Sequence, residues 1–396
     1  MPVGALSRDA AGVVGAGAVS REGIWQRLHA MGEHRGRRGR VYPLAVLAAV
    51  WLCALTAAGH DRVTAVIEWL AGTTEEERRR PRLPYDPFDG YRLPSESTIR
   101  RFLNDTDDAR LARALLDPPL ADPAPPTAVL PEVAGETVRA VYALDGKTSR
   151  GAKRADGRQV QLVGVADQAT GRLVNQHEVD SKSNETKAFR PVLEPLDLAR
   201  DLLTFDAPHT VRDNLDWLVT DKKAHYLAVV KGNQPTLRAF LAGLPWADVP
   251  VADTTHDHGH GRDETRTLKA ATVEHAEFPH ARQAVRIQRW RREKGGKPSR
   301  ETVYGITDLA FEQASAGFLA DAARGQWIIE NRQHHVRDVT FGEDASRSRT
   351  HRGPANLAIF RATVAHAVRA AGHRYVPAGR RACKTATAAL DLYGFP

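Results

Sequence analysis

Cysteine is nearly absent from this sequence: Cys53 and Cys383 are the only two in 396 residues. Two thiols rule out a disulfide scaffold and a four-cysteine zinc site, and they suit a reducing cytoplasm. No secretory signal is apparent, because residues 1–30 lack a basic start followed by an apolar core. No internal repeat is visible. One segment, residues 41–59 (VYPLAVLAAVWLCALTAAG), runs 19 residues without a charge, close to the ~20 that span a bilayer. It holds Pro43, Thr56 and many alanines, and residues 61–71 follow it with Val63, Val66, Ile67 and Leu70 at helical spacing. A buried helix pair explains both segments, so no membrane partner is expected.

What is present is globular. Hydrophobic residues make up 42% and charged residues 26%, which excludes a disordered, collagenous or coiled-coil chain. At about 150 residues per domain, the length allows two or three units. The net charge is +8, and its placement says more than its size. Residues 347–396 hold nine basic side chains, Arg347 and Arg349 first among them, against the single acid Asp391, which accounts for the whole excess. A second cluster in residues 282–300 includes Arg289 and Arg291 with Trp290 between them. Cations with an interleaved aromatic ring suit a polyphosphate partner, through counterion release and stacking.

Turn-rich stretches at 73–93 and 117–131 bracket a short helical unit. There Pro94 and Ser95 read as a helix start, with Ile99, Phe102 and Leu103 on one face and Arg92, Arg100 and Arg101 on another. The unit looks like the recognition half of a helix-turn-helix, and equally like a capped helix with basic flanks. After Pro131, residues 138–144, 160–167 and 172–179 read as three antiparallel strands. Helix 188–199, strand 202–205, helix 211–219 and strand 226–230 follow. The expected fold is α/β, a mixed sheet with helices on its faces. Residues 247–309 read as a β-rich insertion, 311–335 as a long helix and 356–371 as a final helix.

Two of these strands end in an aspartate, at Leu144-Asp145-Gly146 and Phe205-Asp206-Ala207. Carboxyl ends of neighbouring strands border clefts, and two carboxylates held close call for a divalent cation. A third acid, Glu330, lies on the long helix. Three such acids suit two Mg²⁺ ions about 3.5–4 Å apart and in-line displacement at a phosphodiester. Mn²⁺ fits the same oxygen ligands, and carboxylates favour either ion over zinc. Spacing leaves plainer readings open: Asp145-Gly146 as a hairpin turn, Asp206 as a helix cap, Glu330 as a surface acid.

At these residues the sequence resembles the bacterial H-repeat-associated transposases, insertion-sequence enzymes with a DDE core of RNase-H-like fold. The resemblance runs through ALDGKT (143–148), DSKSNE (180–185), TFDAPHT (204–210) and VVKGNQ (229–234). It continues through HGRDETR (260–266), IEN (329–331) and DVTFGED (338–344), in family order, and 41–103 looks like the family's amino-terminal associated region. Carried over, the resemblance makes Asp145, Asp206 and Glu330 the catalytic and metal-binding acids. It puts Lys231, Asn233 and Gln234 at the cleft edge, where an ammonium and amides can hold a phosphate and a base edge. Lys147, Lys182 and Arg262, in the same motifs, are expected DNA contacts with Arg100, Arg101, Arg289, Arg291, Arg347 and Arg349. Asn184 and Glu185 match a motif without a role beyond lining the cleft.

The sequence also departs from the family. Gln326 stands where a His usually precedes Trp327, and His335 where a Trp is usual. Arg337 occupies the position, seven after the glutamate, where a related branch has Lys. Glu343 or Asp344 is a substitute third acid. His256, His258 and His260 alternate and offer a zinc site, though flanking glycines favour an exposed polar loop.

The implied organisation is a basic segment at 1–40, a helical DNA-binding region at 41–125, a catalytic domain at 135–372 and a basic tail at 373–396. The implied function is Mg²⁺-dependent cleavage and strand transfer at the ends of an insertion sequence. The expected partner is double-stranded DNA, both terminal inverted repeats and target, bound by a homodimer at the nucleoid in a bacterial cytoplasm. The alternative is a DNA-binding protein that descends from a transposase and has lost catalysis.

Overall fold

The computed structural model describes residues 23–36, 40–57, 59, 61–116, 132–133, 136–179, 185–259, 261–274 and 276–396. The β-branched and aromatic runs become a sheet of nine strands: β1 (Val141–Lys153), β2 (Gln159–Asp167), β3 (Leu173–Glu178), β4 (Leu202–Phe205), β5 (His225–Val230), β6 (Asp253–Gly259), β7 (Arg262–Thr272), β8 (Gln283–Glu293) and β9 (Ser299–Thr307). Their spatial order is β6-β7-β8-β9-β5-β4-β1-β2-β3. β1, β2 and β3 form an antiparallel meander, while β4 pairs parallel with both β1 and β5. The insertion strands β6 to β9 form an antiparallel run that continues the same sheet from β5. The large mixed sheet read from the sequence is therefore present. The insertion extends that sheet, and it has a fourth strand, β6, which carries His256 and His258.

The end of the first strand differs from the expectation. Residue 145 does not end a strand, because β1 runs on through it to Lys153 as one arm of the hairpin with β2. The parallel partner β4 does stop, at Leu144↔Phe205.

The helices are α1 (Gly23–Ala30), α2 (Leu44–Thr56), α3 (Val63–Ala71), α4 (Glu75–Arg79), α5 (Glu96–Asp105), α6 (Asp108–Leu115), α7 (Phe189–Leu193), α8 (Arg212–Thr220), α9 (Pro235–Gly243), α10 (Ala316–Gly325), α11 (Trp327–Ile329), α12 (His335–Val339), α13 (Gly353–Ala370), α14 (Val376–Ala382) and α15 (Ala386–Tyr393). Ser95 caps α5 by accepting from the Thr98 N–H, satisfying one of the amides that a helix start leaves free. The apolar α2 is buried along its entire length. It packs on α1, α3, α13 and α15, which explains its lack of charge without a bilayer. Among the described residues no helix is long and apolar enough to cross a membrane.

The segment expected as a basic tail is not a tail. Val376, Leu390, Tyr393 and Phe395 are buried in one core with α2 and α13, and the Thr56 and Tyr393 hydroxyls meet at 2.7 Å. Its arginines are partly spent inside: Arg380 donates to Asp61 at 2.7 Å and to the Ala57 carbonyl. The amino-terminal helices and both carboxy-terminal helices thus share a core with α13, which in turn packs on β3.

Candidate functional site

The β1–β4 register determines which residues face the cleft. Leu144 is paired with Phe205 at the last parallel position, so Asp145 and Asp206 are the next residues on two neighbouring strands, where β4 has ended. Across the hairpin Asp145 faces Gly164. The helix that brings the third acid lies close over this part of the sheet because the residues beneath it are small. Ile329 is fully buried on Ala143 and Ala166, and a Cβ added at Gly164 would come within 3.7 Å of its Cδ1. Glu330 follows at once and opens a π-helical turn, Glu330–His334. Such widened turns recur at functional sites.

Asp145, Asp206 and Glu330 all line one cleft of about 490 Å³. Its other wall comes from the insertion, with Arg266, Arg289 and Glu301, and Lys231 and Trp327 stand at its borders. The sequence reading missed His334. Its Nδ1 lies 2.9 Å from Glu330 Oε2 and 3.8 Å from Asp145 Oδ2. The available signal was its position one helical turn after Glu330. Asp145, Glu330 and His334 offer ligand atoms all within 4.8 Å of one another. Two carboxylates and an imidazole suit a divalent cation.

The electrostatics agree with that donor set. Burial pushes the Asp145 carboxyl up to about 6, and the charges of Asp206 and Glu185 add to the rise. His334 and the Gly146 N–H, which donates to Asp145 Oδ1 at 2.9 Å, oppose it. Glu330 is lowered chiefly by its hydrogen bond with His334. Glu185 is lowered chiefly by His209, whose Nε2 lies 2.8 Å away. An acid that resists ionisation among other acids gains most from a bound cation.

Several expected contacts are spent elsewhere. Lys147 is buried and its ammonium donates to both Asp338 oxygens at 2.7 Å. Asn233 donates to the Ala207 carbonyl at 2.6 Å and Gln234 to that of Thr210 at 2.9 Å, so these amides brace the loop after β4. Arg289 pairs with Glu301, Arg291 with Glu293 at 2.7 Å, and Arg100 with Glu96. Lys231, Arg101 and Arg262 are exposed. Arg100, Arg347 and Arg349 line a second cavity, of about 1200 Å³, together with Arg62. Lys182 and Asn184 lie outside the described residues.

The substitute acids are also accounted for. Glu343 is buried between Arg337 (2.8 Å) and Arg361 (3.0 Å), so neither Glu343 nor Arg337 serves the cleft. Asp344 lies 3.9 Å from Lys147 and 3.5 Å from Arg150. His256 and His258 are exposed and bond Thr265 and Asp263 on β7, while His260 lies outside the described residues.

Comparison with known proteins follows the same lines. Residues 136–366 match the family model described as Transposase DDE domain, and residues 25–117 match the one described as DDE_Tnp_1-associated. The chain is 29% identical over 306 residues to the transposase-named YncI of Escherichia coli O157:H7, covering 74% of this chain and 70% of that one. It is 28% identical over 227 residues to the H repeat-associated, transposase-named YhhI of Escherichia coli K12, covering 53% and 58%. A cryo-EM structure of a piggyBac transposase synaptic complex with hairpin DNA aligns with a TM-score of 0.41 at 11% identity, covering 95% of this chain and 78% of that one.

Proposed function

The chain belongs to the Transposase DDE domain family, and from that footing we propose that it cleaves and rejoins DNA strands at the ends of an insertion sequence. The observation that carries this reading is that Asp145, Asp206 and Glu330, remote in sequence, border a single cleft. The strand order β3-β2-β1-β4-β5, antiparallel then parallel, supports an RNase-H-like core within 135–372, joined to a helical DNA-binding region at 41–125.

On this reading Asp145, Asp206 and Glu330 are the catalytic acids and hold Mg²⁺, with Mn²⁺ as a substitute. Cations held by these acids would supply activation of the attacking water or 3′-hydroxyl and charge stabilisation at the departing oxygen. The chain's own residues do the positioning. His334 orients Glu330 by a hydrogen bond, and the Gly146 N–H orients Asp145. Lys231 and Trp327, at the cleft border, meet the phosphate backbone and a base face. The partner is double-stranded DNA, with two ends joined by a homodimer at the nucleoid.

The test is a supercoiled plasmid carrying the DNA that flanks this coding region. With Mg²⁺ the protein nicks it, and Asp206→Asn abolishes nicking while mobility-shift binding of the same DNA persists. Equal nicking by Asp206→Asn overturns the reading.

A further inference from the structure

The cavity of about 1200 Å³ lies on a seam of the molecule. One wall belongs to the region that matches the DDE_Tnp_1-associated model and includes Arg62 and Asn104. The other is the segment between α12 and α13, with Ser346 to Thr350, backed by Arg361 of α13. The two walls are fastened together at one end. The Asn356 side chain donates to the carbonyls of Leu103 at 2.7 Å and Thr106 at 2.9 Å. The Arg352 N–H donates to that of Asn104 at 3.1 Å. The cavity therefore needs no partner to form.

Its chemistry is one-sided. Five arginines line it against one acid, Asp61, whose Oδ1 is engaged by Arg380 at 2.7 Å. The run Ser346-Arg347-Ser348-Arg349-Thr350 alternates hydroxyls with guanidiniums. Arg361 is 2% exposed and shares the Glu343 carboxylate with Arg337, so two buried guanidiniums meet one acid. The Nε of Arg361 and the indole Nε1 of fully buried Trp51, which also lines the cavity, have no hydrogen-bond partner. Buried donors left unpaired and buried cations in excess are both destabilising, and an anion entering from solvent relieves both. Guanidiniums and hydroxyls are the side chains that hold DNA phosphates, and such contacts position DNA without reading its sequence.

We propose that this cavity is a phosphate-binding site that grips the DNA backbone from both walls at once, Arg62 on one side and Arg347 and Arg349 on the other, with Arg361 behind them. The inference rests on the reading of the chain as a protein that acts on DNA. It assigns the grip to the junction of the two matched regions and not to α5 alone, whose Arg100 is engaged by Glu96.

The experiment measures binding of the full chain, in a chelator, to two labelled duplexes of equal length. One carries the DNA that flanks this coding region and the other an unrelated sequence. Arg62→Glu and Arg349→Glu reverse exposed charges on opposite walls, and an unchanged thermal midpoint shows that each variant is folded. Each should weaken both duplexes by a similar factor, about tenfold. Affinity for both within twofold of wild type overturns the proposal. In that case, a thermal midpoint raised by inorganic pyrophosphate in wild type but not in the variants gives the cavity to a free phosphate compound instead. A loss confined to the flanking sequence also overturns it, since that is the mark of base reading. Wild type that binds both duplexes without nicking the plasmid overturns the nuclease reading and leaves the grip standing. Nicking by wild type with unaffected binding in both variants does the reverse.

Discussion

The side-chain amide of Gln326 donates to the main-chain oxygen of Leu144 at 2.9 Å, one residue before Asp145 and one helical turn before Glu330. Its Oε1 accepts from the Thr204 hydroxyl at 2.5 Å, two residues before Asp206. Gln168 closes the bracket by donating to Thr204 Oγ1 at 2.8 Å and to the Ala322 carbonyl at 3.1 Å. One side chain thus ties together the three elements that carry the acids. Gln326→Ala leaves these partners short of bonds, at a cost of about 1–3 kcal/mol in stability. Misplacement of the acids by about 1 Å should slow nicking by roughly a hundredfold. A plasmid-nicking time course read beside a denaturant midpoint checks both. Wild-type nicking by Gln326→Ala sinks the idea.

Asp145 gives a prediction with a sign. Burial raises its carboxyl to about 6, so the folded protein favours the neutral acid more than the unfolded chain does. The stability from that neutral form is fully present below the unfolded value and is lost as pH rises through about 6. Asp145→Asn imitates the neutral form. Without metal it should match wild-type stability at pH 4, become more stable than wild type as pH passes 6, and nick no DNA at any pH. Urea midpoints in a chelator, taken from pH 4 to 8, are the measurement. A variant less stable than wild type at pH 7.5 contradicts the account.

The buried group at Arg337, Glu343 and Arg361 behaves differently because it is paired. Burial alone raises the Glu343 carboxyl, but the two guanidiniums overcome it and hold it well below the usual range. Glu343→Gln strands two buried cations, and breaking such a group costs about 3–5 kcal/mol. The loss should appear in the urea midpoint. Mn²⁺ affinity of the molecules that remain folded should be unchanged, because Glu343 does not reach the cleft.

Much of this was legible in the sequence, and the gaps have physical causes. Strand β4 has the bounds that its apolar run implied, and α5 begins after Ser95 as its cap implied. The second half of β1 was not legible because two of its three buried positions are polar. Lys147 and Ser149 face inward to bond Asp338 and Glu343, partners more than 190 residues away. The carboxy-terminal arginines disguised two short helices whose apolar residues are too few to show a stripe until α2 and α13 surround them. His334 went unread although it lies one helical turn after Glu330, because its approach to Asp145 comes from a residue 189 positions away along the chain.

The cavity lined by Arg62, Arg347 and Arg349 makes the last prediction. Among the described residues, no acid pairs with these three side chains, unlike Arg100, Arg289 and Arg291. The loop that carries Arg347 is tied to β1, since a Cβ added at Gly151 would fall 2.5 Å from the Ser346 carbonyl oxygen. Gly151 lies six residues along β1 from Asp145, about 20 Å at roughly 3.3 Å per residue. DNA phosphates held in the cavity are then a few nucleotides from the cleft. Each phosphate contact contributes a slope of about −0.9 to log K against log salt. Arg347→Ala combined with Arg349→Ala should make the slope for duplex binding shallower by about 2, whereas Lys147→Ala, whose ammonium is engaged by Asp338, should leave it unchanged. Fluorescence anisotropy from 50 to 300 mM salt reads the difference, and equal slopes in all three proteins would remove the cavity from the DNA path.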